Sequence, residues 1–330
     1  MASNKLIFLP VFFLFLGLYA QESSEVYRSI IVDKSGAGDF TEIQKAINST
    51  RDLGPGFVEI HIKNGTYTEK LEIPTWKHKI RLIGEDREKT IIINNDYSGK
   101  KDSITGETLS TFTSYTLLVS GDEIEIRNLT VKNSSCGEGQ AVALHVEGDK
   151  FVAKNVNIIG CQDTIYAATG GSRQYYKNCY IEGTTDFIFG EATVVFQNCV
   201  IMSLKNSFIT AAATTPNQEY GFVFLNCELT AGNGVSEVYL GRPWRPFAKT
   251  VFINSEFGDH ILPKGWDAWE GDAMFPDKEK TTFYAEYNNS GPGAETSNRV
   301  KWPKKLSKKE AKKYTPANIF NREDSWNPAE

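Results

Sequence analysis

Two aspartates in matching local contexts are the residues of this 330-residue chain best suited to chemistry: Asp163 in DTIY and Asp186 in DFIF. Each acid opens a short apolar and aromatic run that reads as the same strand written twice. If the two lie side by side, they cannot both ionise freely. One pKa then rises, the titrations couple, and an acid and a base coexist near neutral pH. Spacing by itself leaves open the alternative of two solvated surface carboxylates.

What would bring them together is a longer repeat. An Asn stands at 128, 155, 178, 198, 226 and 254, with gaps of 27, 23, 20, 28 and 28 residues. This is the range in which self-similarity means stacked coils. Two residues before these Asn stand Ile126, Ala153, Tyr176, Phe196, Phe224 and Phe252; three after stand Val131, Ile158, Ile181, Ile201, Leu229 and Phe257. The pattern predicts a right-handed parallel β-helix with both apolar columns inside and the Asn column at a bend, where an amide stacks on its neighbours and tolerates left-handed backbone. Asp163 is eight residues past Asn155 and Asp186 eight past Asn178. Coils in register therefore place the two on adjacent strands, with backbones roughly 4.8 Å apart. The next coil carries Asn206 at the same offset, which would end the acidic column after two.

The elements around the repeat follow from the same patterning. Thr41 and Gln44 have capping-box spacing ahead of a short amphipathic helix, expected to plug the open end of the solenoid. FVEIHIKNGTY and KIRLIGEDREKTIII alternate like further β coils. Residues 95–112, rich in Asp, Ser, Gly and Thr, are expected to form an external loop walling a groove. The basic tail, residues 301–330, is expected to lie as a helix across the coils.

The N-terminal residues 1–20, with one cation at Lys5 and an apolar run, read as a secretory signal, leaving residues 21–330 as one domain and an extracellular location. A net charge of −5 without a basic, aromatic-interleaved run disfavours nucleic acid as a partner. Any grip on a polyanion must come from local cations. The five cysteines are an odd number, so at least one cannot pair internally. Cys179, Cys199 and Cys227 each follow a repeat Asn and are expected to be buried free thiols, although one disulfide among them is within geometric reach. Neither a metal nor another cofactor is indicated by the spacing of Cys and His. The histidines, His61, His78, His145 and His260, are expected to be structural, and no GxSxG context supports a serine esterase. Sequons occur at Asn48, Asn64, Asn128, Asn133 and Asn288, of which Asn128 is a poor acceptor because it belongs to the repeat.

GQAVAL (139–144), GCQDTIYA (160–167), GTTDFIFG (183–190) and LGRPW (240–244), in this order, resemble the four signature segments of the pectin methylesterase family. VDKSGAGDFTEIQKAI, GWDAWE and YAEYNNSGPGA followed by RVKW extend the resemblance over nearly the whole chain past the leader. It implies the same fold, an all-β right-handed parallel β-helix, and hydrolysis of galacturonate methyl esters in pectin without a cofactor. By resemblance Asp186 is the nucleophile, Asp163 the general acid and then base, and Gln162 and Gln140 the oxyanion donors. Arg242 would keep Asp186 ionised through charge-assisted hydrogen bonds. Trp244 would stack on sugar, and Thr116, like Gln140 and Arg242, would contact substrate. The implied partners are methyl-esterified pectin and a proteinaceous pectinesterase inhibitor, with the protein itself a monomer.

The chain departs from the family pattern at Cys161, where an aromatic residue is common, at Glu191, where Asn is frequent, and in ITAAATTPNQ. These departures bear on subsite preference and pH dependence, and none removes a residue of the implied chemistry. Tyr166, Phe187 and Phe189 fit either the groove or the core. Two other classes share the scaffold. A β-helical polygalacturonate hydrolase or lyase would need a wider acid pair or a calcium-type Asp cluster. A non-catalytic wall-binding homologue would be expected to have lost one of Asp163, Asp186 or Arg242.

Overall fold

The computed structural model describes residues 26–329, so the expected leader at 1–20 lies outside the described residues. The chain winds as a right-handed parallel β-helix in which each coil contributes one strand to each of three parallel sheets, of eleven, seven and eight strands. The apolar columns pair in register: Ile126 with Ala153, Ala153 with Tyr176, then Phe196, Phe224 and Phe252. The second column runs Val131, Ile158, Ile181, Ile201, Leu229, Phe257. Both are buried inside the coil. Parallel pairing superposes like on like, so rings stack: Phe196 on Phe224 at 4.6 Å and Phe224 on Phe252 at 4.3 Å between centroids. Offset contact of this kind adds about 0.5–1.5 kcal/mol per pair beyond burial.

All six repeat Asn adopt left-handed backbone, with φ between 52° and 55°, and Asn288 at 51° adds a seventh. Asn is among the few side chains that tolerate this region, because its short amide bonds locally. Amide-to-amide hydrogen bonds of 2.8 Å link Asn155 to Asn128 and Asn288 to Asn254. Cys179, Cys199 and Cys227 follow this bend, are buried and unpaired, and point their thiols at carbonyls of the preceding coil. The disulfide lies elsewhere, between Cys136 and Cys161.

The helix Ile43–Asn48 closes the first coil, burying Ile43, Ala46 and Ile47. Its cap differs from the Thr41 and Gln44 box expected from spacing. The Glu69 carboxylate, one coil on, accepts from the N–H groups of Ile43 and Gln44 at 3.0 Å each. An anion at this end satisfies two orphan donors and complements the helix dipole, so Gln44 is free to bond the backbone at Glu72.

The tail crosses the outer face of the eleven-stranded sheet as two one-turn helices, Lys308–Ala311 and Pro316–Ile319, instead of one. Pro316 disfavours helical backbone at Thr315, which breaks the first helix and caps the second. Leu306, Ala311, Ile319 and Phe320 share an apolar cluster with Tyr175, Val195, Val223 and Val251. Arg173, almost fully buried, pins the tail by pairing with both Asp149 and Asp324.

Candidate active site

The seven-stranded sheet carries the site on its outer face. Ile165 pairs with Ile188 inside, while Tyr166 and Phe189 pair outside. Two residues upstream, the same register sets Asp163 beside Asp186. The Asp163 N–H donates to Thr185 O at 3.1 Å and the Asp186 N–H to Phe208 O at 2.8 Å. Both acids have left-handed backbone, φ 65° and 48°, which turns their carboxylates together at the strand entrances. Asp is one of the side chains that bears this conformation at modest strain.

The residue that follows Asp186 in the column is Phe208, not Asn206. The turn before the strand Phe208–Ala212 holds two more residues than the Asn repeat implies, so the pairing runs Ile188 to Thr210. Asn206 instead accepts from the backbone of Ser236 and Glu237. The acidic column still ends after two, and an aromatic ring takes the third place.

One strand further, Arg242 reaches back to Asp186. Its Nε donates to Oδ1 at 3.0 Å and its terminal nitrogen to Oδ2 at 2.7 Å. The close stacking of this strand depends on Gly241, where a Cβ would collide with the Thr210 hydroxyl. The guanidinium is held between two rings, 3.9 Å from the Phe208 centroid and 3.7 Å from that of Trp269. A planar cation in such a sandwich cannot swing away from its partner, a constraint no lysine would feel.

Asp163, Asp186, Arg242 and Trp269 line a cleft of about 300 Å³ with Thr111, Phe112, Gln140, Gln162, Phe189, Ala211 and Trp244. Phe112 comes from the loop at 95–112, which walls the groove as expected and rests on Tyr166 at 5.2 Å. Tyr166 stacks on Phe189 at 4.6 Å, and Phe189 meets the Trp244 edge at 5.7 Å, giving an aromatic floor. Phe187 points inward and belongs to the core. Gln140 and Gln162 sit on neighbouring coils, joined by the Ala141 N–H to Gln162 O bond of 3.1 Å. Neither carboxamide is engaged by another described side chain or backbone group, so both remain available to a ligand. The disulfide between Cys136 and Cys161 fastens the two segments that carry them.

Asp163 and Asp186 are 9 % and 7 % exposed, which is costly for two anions. Burial, reinforced by the Asp186 charge and opposed by Arg242, pushes the Asp163 carboxyl up to about 8. Burial also raises Asp186, but there the Arg242 fork acts directly against it. The proton affinities of the two acids are therefore unequal: burial and the Asp186 charge favour a proton on Asp163, while the Arg242 fork opposes protonation of Asp186.

Of the residues singled out from sequence, Asp163, Asp186, Arg242, Gln140, Gln162 and Trp244 converge on this cleft. Thr116 does not. It is fully buried, and its hydroxyl donates to Lys132 O at 2.9 Å, so it faces the interior of the coil. None of the four histidines lines the cleft. His145 lies under the Tyr166 ring, and burial lowers its pKa to about 4. Phe112, Phe208 and Trp269 are site residues that spacing did not single out. Trp269 stands within GWDAWE, and Phe208 becomes visible only once the two-residue register change is known.

The pectinesterase family model matches residues 29–323. A curated relative named pectinesterase/pectinesterase inhibitor PPE8B, from Prunus persica, is 38 % identical over 316 residues, covering 91 % of this chain and 58 % of the relative. The chain spans about half the length of the first curated relatives it matches. Among solved structures, pectin methylesterase from carrot superposes with a TM-score of 0.81 at 33 % identity, covering 88 % of this chain and 92 % of the other. A pectin methylesterase in complex with a hexasaccharide gives 0.79 at 30 % identity, covering 91 % and 98 %. With the family model spanning nearly all of the described coils, this chain belongs to the pectinesterase family.

Proposed function

We propose that the chain hydrolyses the methyl esters of galacturonate in pectin, releasing methanol and leaving the polymer as carboxylate. What chiefly supports this is a single arrangement: an ionised Asp186 held in the Arg242 fork, next to a protonated Asp163, beneath two unengaged carboxamides. An Asp186 oxygen attacks the ester carbonyl carbon, and the oxyanion that forms is met by the amide N–H groups of Gln140 and Gln162. Neutral donors suit this task because they stabilise charge without titrating; losing one costs on the order of 100-fold in rate. As the carbon–methoxide bond breaks, Asp163 gives its proton to the leaving oxygen and methanol departs. An anhydride joins Asp186 to the galacturonyl carbonyl. Asp163, now a carboxylate, takes a proton from water, whose oxygen attacks that carbonyl. The anhydride opens, freeing the galacturonate carboxyl and regenerating Asp186.

The same proposal makes pectin the polymer partner, with Trp244 stacking on a sugar ring and Arg242 and Gln140 touching substrate. It takes residues 21–330 as the catalytic unit, a monomer acting outside the cell. The first curated relatives are named as pectinesterase together with pectinesterase inhibitor, so a proteinaceous inhibitor is the protein partner we expect. The test is to incubate the protein with highly methylated pectin and assay methanol, new reducing ends and unsaturated uronate together. Methanol alone is expected, abolished by Asp186→Asn. Reducing ends or unsaturated product without methanol would identify a backbone-cleaving enzyme instead.

A further inference from the structure

Behind the cleft lies a cation that the chemistry above does not use. Lys278 opens the 3-10 turn Lys278–Lys280, and its side chain is completely buried. Its ammonium makes three contacts: Asp272 Oδ2 at 2.6 Å, the Trp244 carbonyl at 3.4 Å, and the face of the Trp269 ring at 4.4 Å from the centroid. The hydroxyls of Thr281 and Thr282 both donate to its backbone carbonyl, fixing where the side chain starts.

Burying a lysine is costly unless the site repays the loss of water. Here the surroundings are not uniformly favourable, since Arg242 and Arg245 are also nearby, and among the described residues Asp272 is the carboxylate that bonds the ammonium. A buried ammonium kept under those conditions, touching two aromatic residues of the cleft wall, calls for a reason beyond packing. The contacts supply one. Trp269 bears Lys278 on its ring as well as Arg242, so Phe208, Arg242, Trp269 and Lys278 form one linked set of aromatic and cationic groups. The Trp244 backbone hangs from the same ammonium.

We propose that Lys278 is a positioning residue for this cleft: through the Trp269 ring it fixes one of the two aromatic faces that keep the Arg242 fork aimed at Asp186, and through the Trp244 carbonyl it holds the backbone of the cleft wall beside it. The proposal rests on the ester hydrolase reading for its kinetic consequences but not for its geometric ones. It also has an electrostatic component. The charged groups around Asp186 are Arg242, Asp163, Asp267 and Lys278, and the ammonium favours the ionised nucleophile while Asp267 disfavours it.

The experiment compares wild type with Lys278→Met, which is unbranched, only one atom shorter and uncharged, and with Lys278→Arg. For Lys278→Met, methanol release is expected to lose roughly tenfold in kcat, with KM raised as Trp244 loosens. The acidic limb of kcat/KM should move to higher pH, because Asp186 loses a stabilising cation. Lys278→Arg should restore the limb and part of kcat. A role limited to stability would lower the melting temperature and leave the limb and the kcat of folded enzyme unchanged, and that result would overturn the proposal. If Lys278→Met does not fold, Asp272→Asn, which releases the ammonium from its carboxylate anchor, should lower kcat as Trp269 loosens, and a kcat equal to wild type in folded protein would overturn it. Should wild type release no methanol, the functional reading fails on its own. A crystal structure of Lys278→Met then decides the geometry: Trp269 displaced from Arg242 supports the proposal, and Trp269 unmoved refutes it.

Discussion

Asp186 and Arg242, 56 residues apart in the chain, meet in a two-pronged hydrogen bond of 3.0 and 2.7 Å whose guanidinium is clamped between Phe208 and Trp269. The clamp makes the fork specific to arginine. Arg242→Lys is therefore expected to lower kcat/KM for methanol release by at least 100-fold while circular dichroism and melting temperature stay close to wild type, because a point cation neither stacks nor bonds both oxygens. Activity within threefold of wild type would show that charge alone suffices.

The unequal proton affinities of the two acids set the pH dependence. In the proposed mechanism Asp163 must carry a proton to release methoxide, and its carboxyl is raised to about 8. The kcat/KM profile is expected to fall on its alkaline side around that value, as the acid is lost, and on its acidic side as Asp186 is protonated. Because a carboxyl raised on folding binds its proton more tightly in the native state, its contribution to stability is full below the unfolded value near 4 and is lost as pH rises towards about 8. Asp163→Asn removes this penalty and should stabilise the protein at pH 7 by on the order of 3 kcal/mol, read in urea unfolding, while abolishing turnover. An Asn variant no more stable than wild type would mean that Asp163 titrates normally.

The disulfide between Cys136 and Cys161 lies one residue before Gln162 and four before Gln140. Cys136 is exposed, so a small dithiol has access. Reduction followed by alkylation is expected to lower kcat by about tenfold, since both carboxamides lose a common anchor, and to cost roughly 3 kcal/mol of stability for a loop of this size. The two buried-coil strands carrying Asp163 and Asp186 should persist. Unchanged kcat in the fully reduced, alkylated protein would show that the strands alone hold the two glutamines.

The five sequons are not equivalent. Asn48 and Asn64 are exposed. Asn133 is buried with its amide nitrogen within hydrogen-bond reach of three backbone carbonyls, and Asn288 donates to Asn254. Asn128 accepts from Asn155 within the repeat. When the chain is passed through a eukaryotic secretory pathway, glycopeptide mass spectrometry is expected to find sugar on Asn48 or Asn64 and none on Asn133 or Asn288. Occupied Asn133 in active protein would contradict its place in the fold.

The coil architecture was legible because it is periodic. An Asn that accepts left-handed backbone, with apolar residues at fixed offsets, repeats wherever the chain makes the same bend, and parallel stacking superposes each copy on the last. The acids at 163 and 186 could be paired from sequence for the same reason, since both count from that bend. Periodicity misleads where coil length changes between bends. Asn206 was expected beside Asp186 by constant offset, and two extra residues put Phe208 there. Thr116, carried over by resemblance from a less distinctive segment, lies at the bend just ahead of the strand Leu117–Val119, where alternation does not apply and its hydroxyl turns to the Lys132 carbonyl. The Glu69 cap and the Lys278 contacts had no local trace at all, since each joins segments brought together only by winding.

By itself the sequence determined the winding, the inner columns and the adjacency of Asp163 and Asp186, because backbone pairing and side-chain alternation act over one coil and recur with each turn. Only the tertiary structure decided which rings flank Arg242, which cation stands behind Trp269 and how deeply the two acids are buried. Those outcomes depend on loops of unequal length folding back over the sheet and on how much water they exclude, and neither quantity is periodic in the chain.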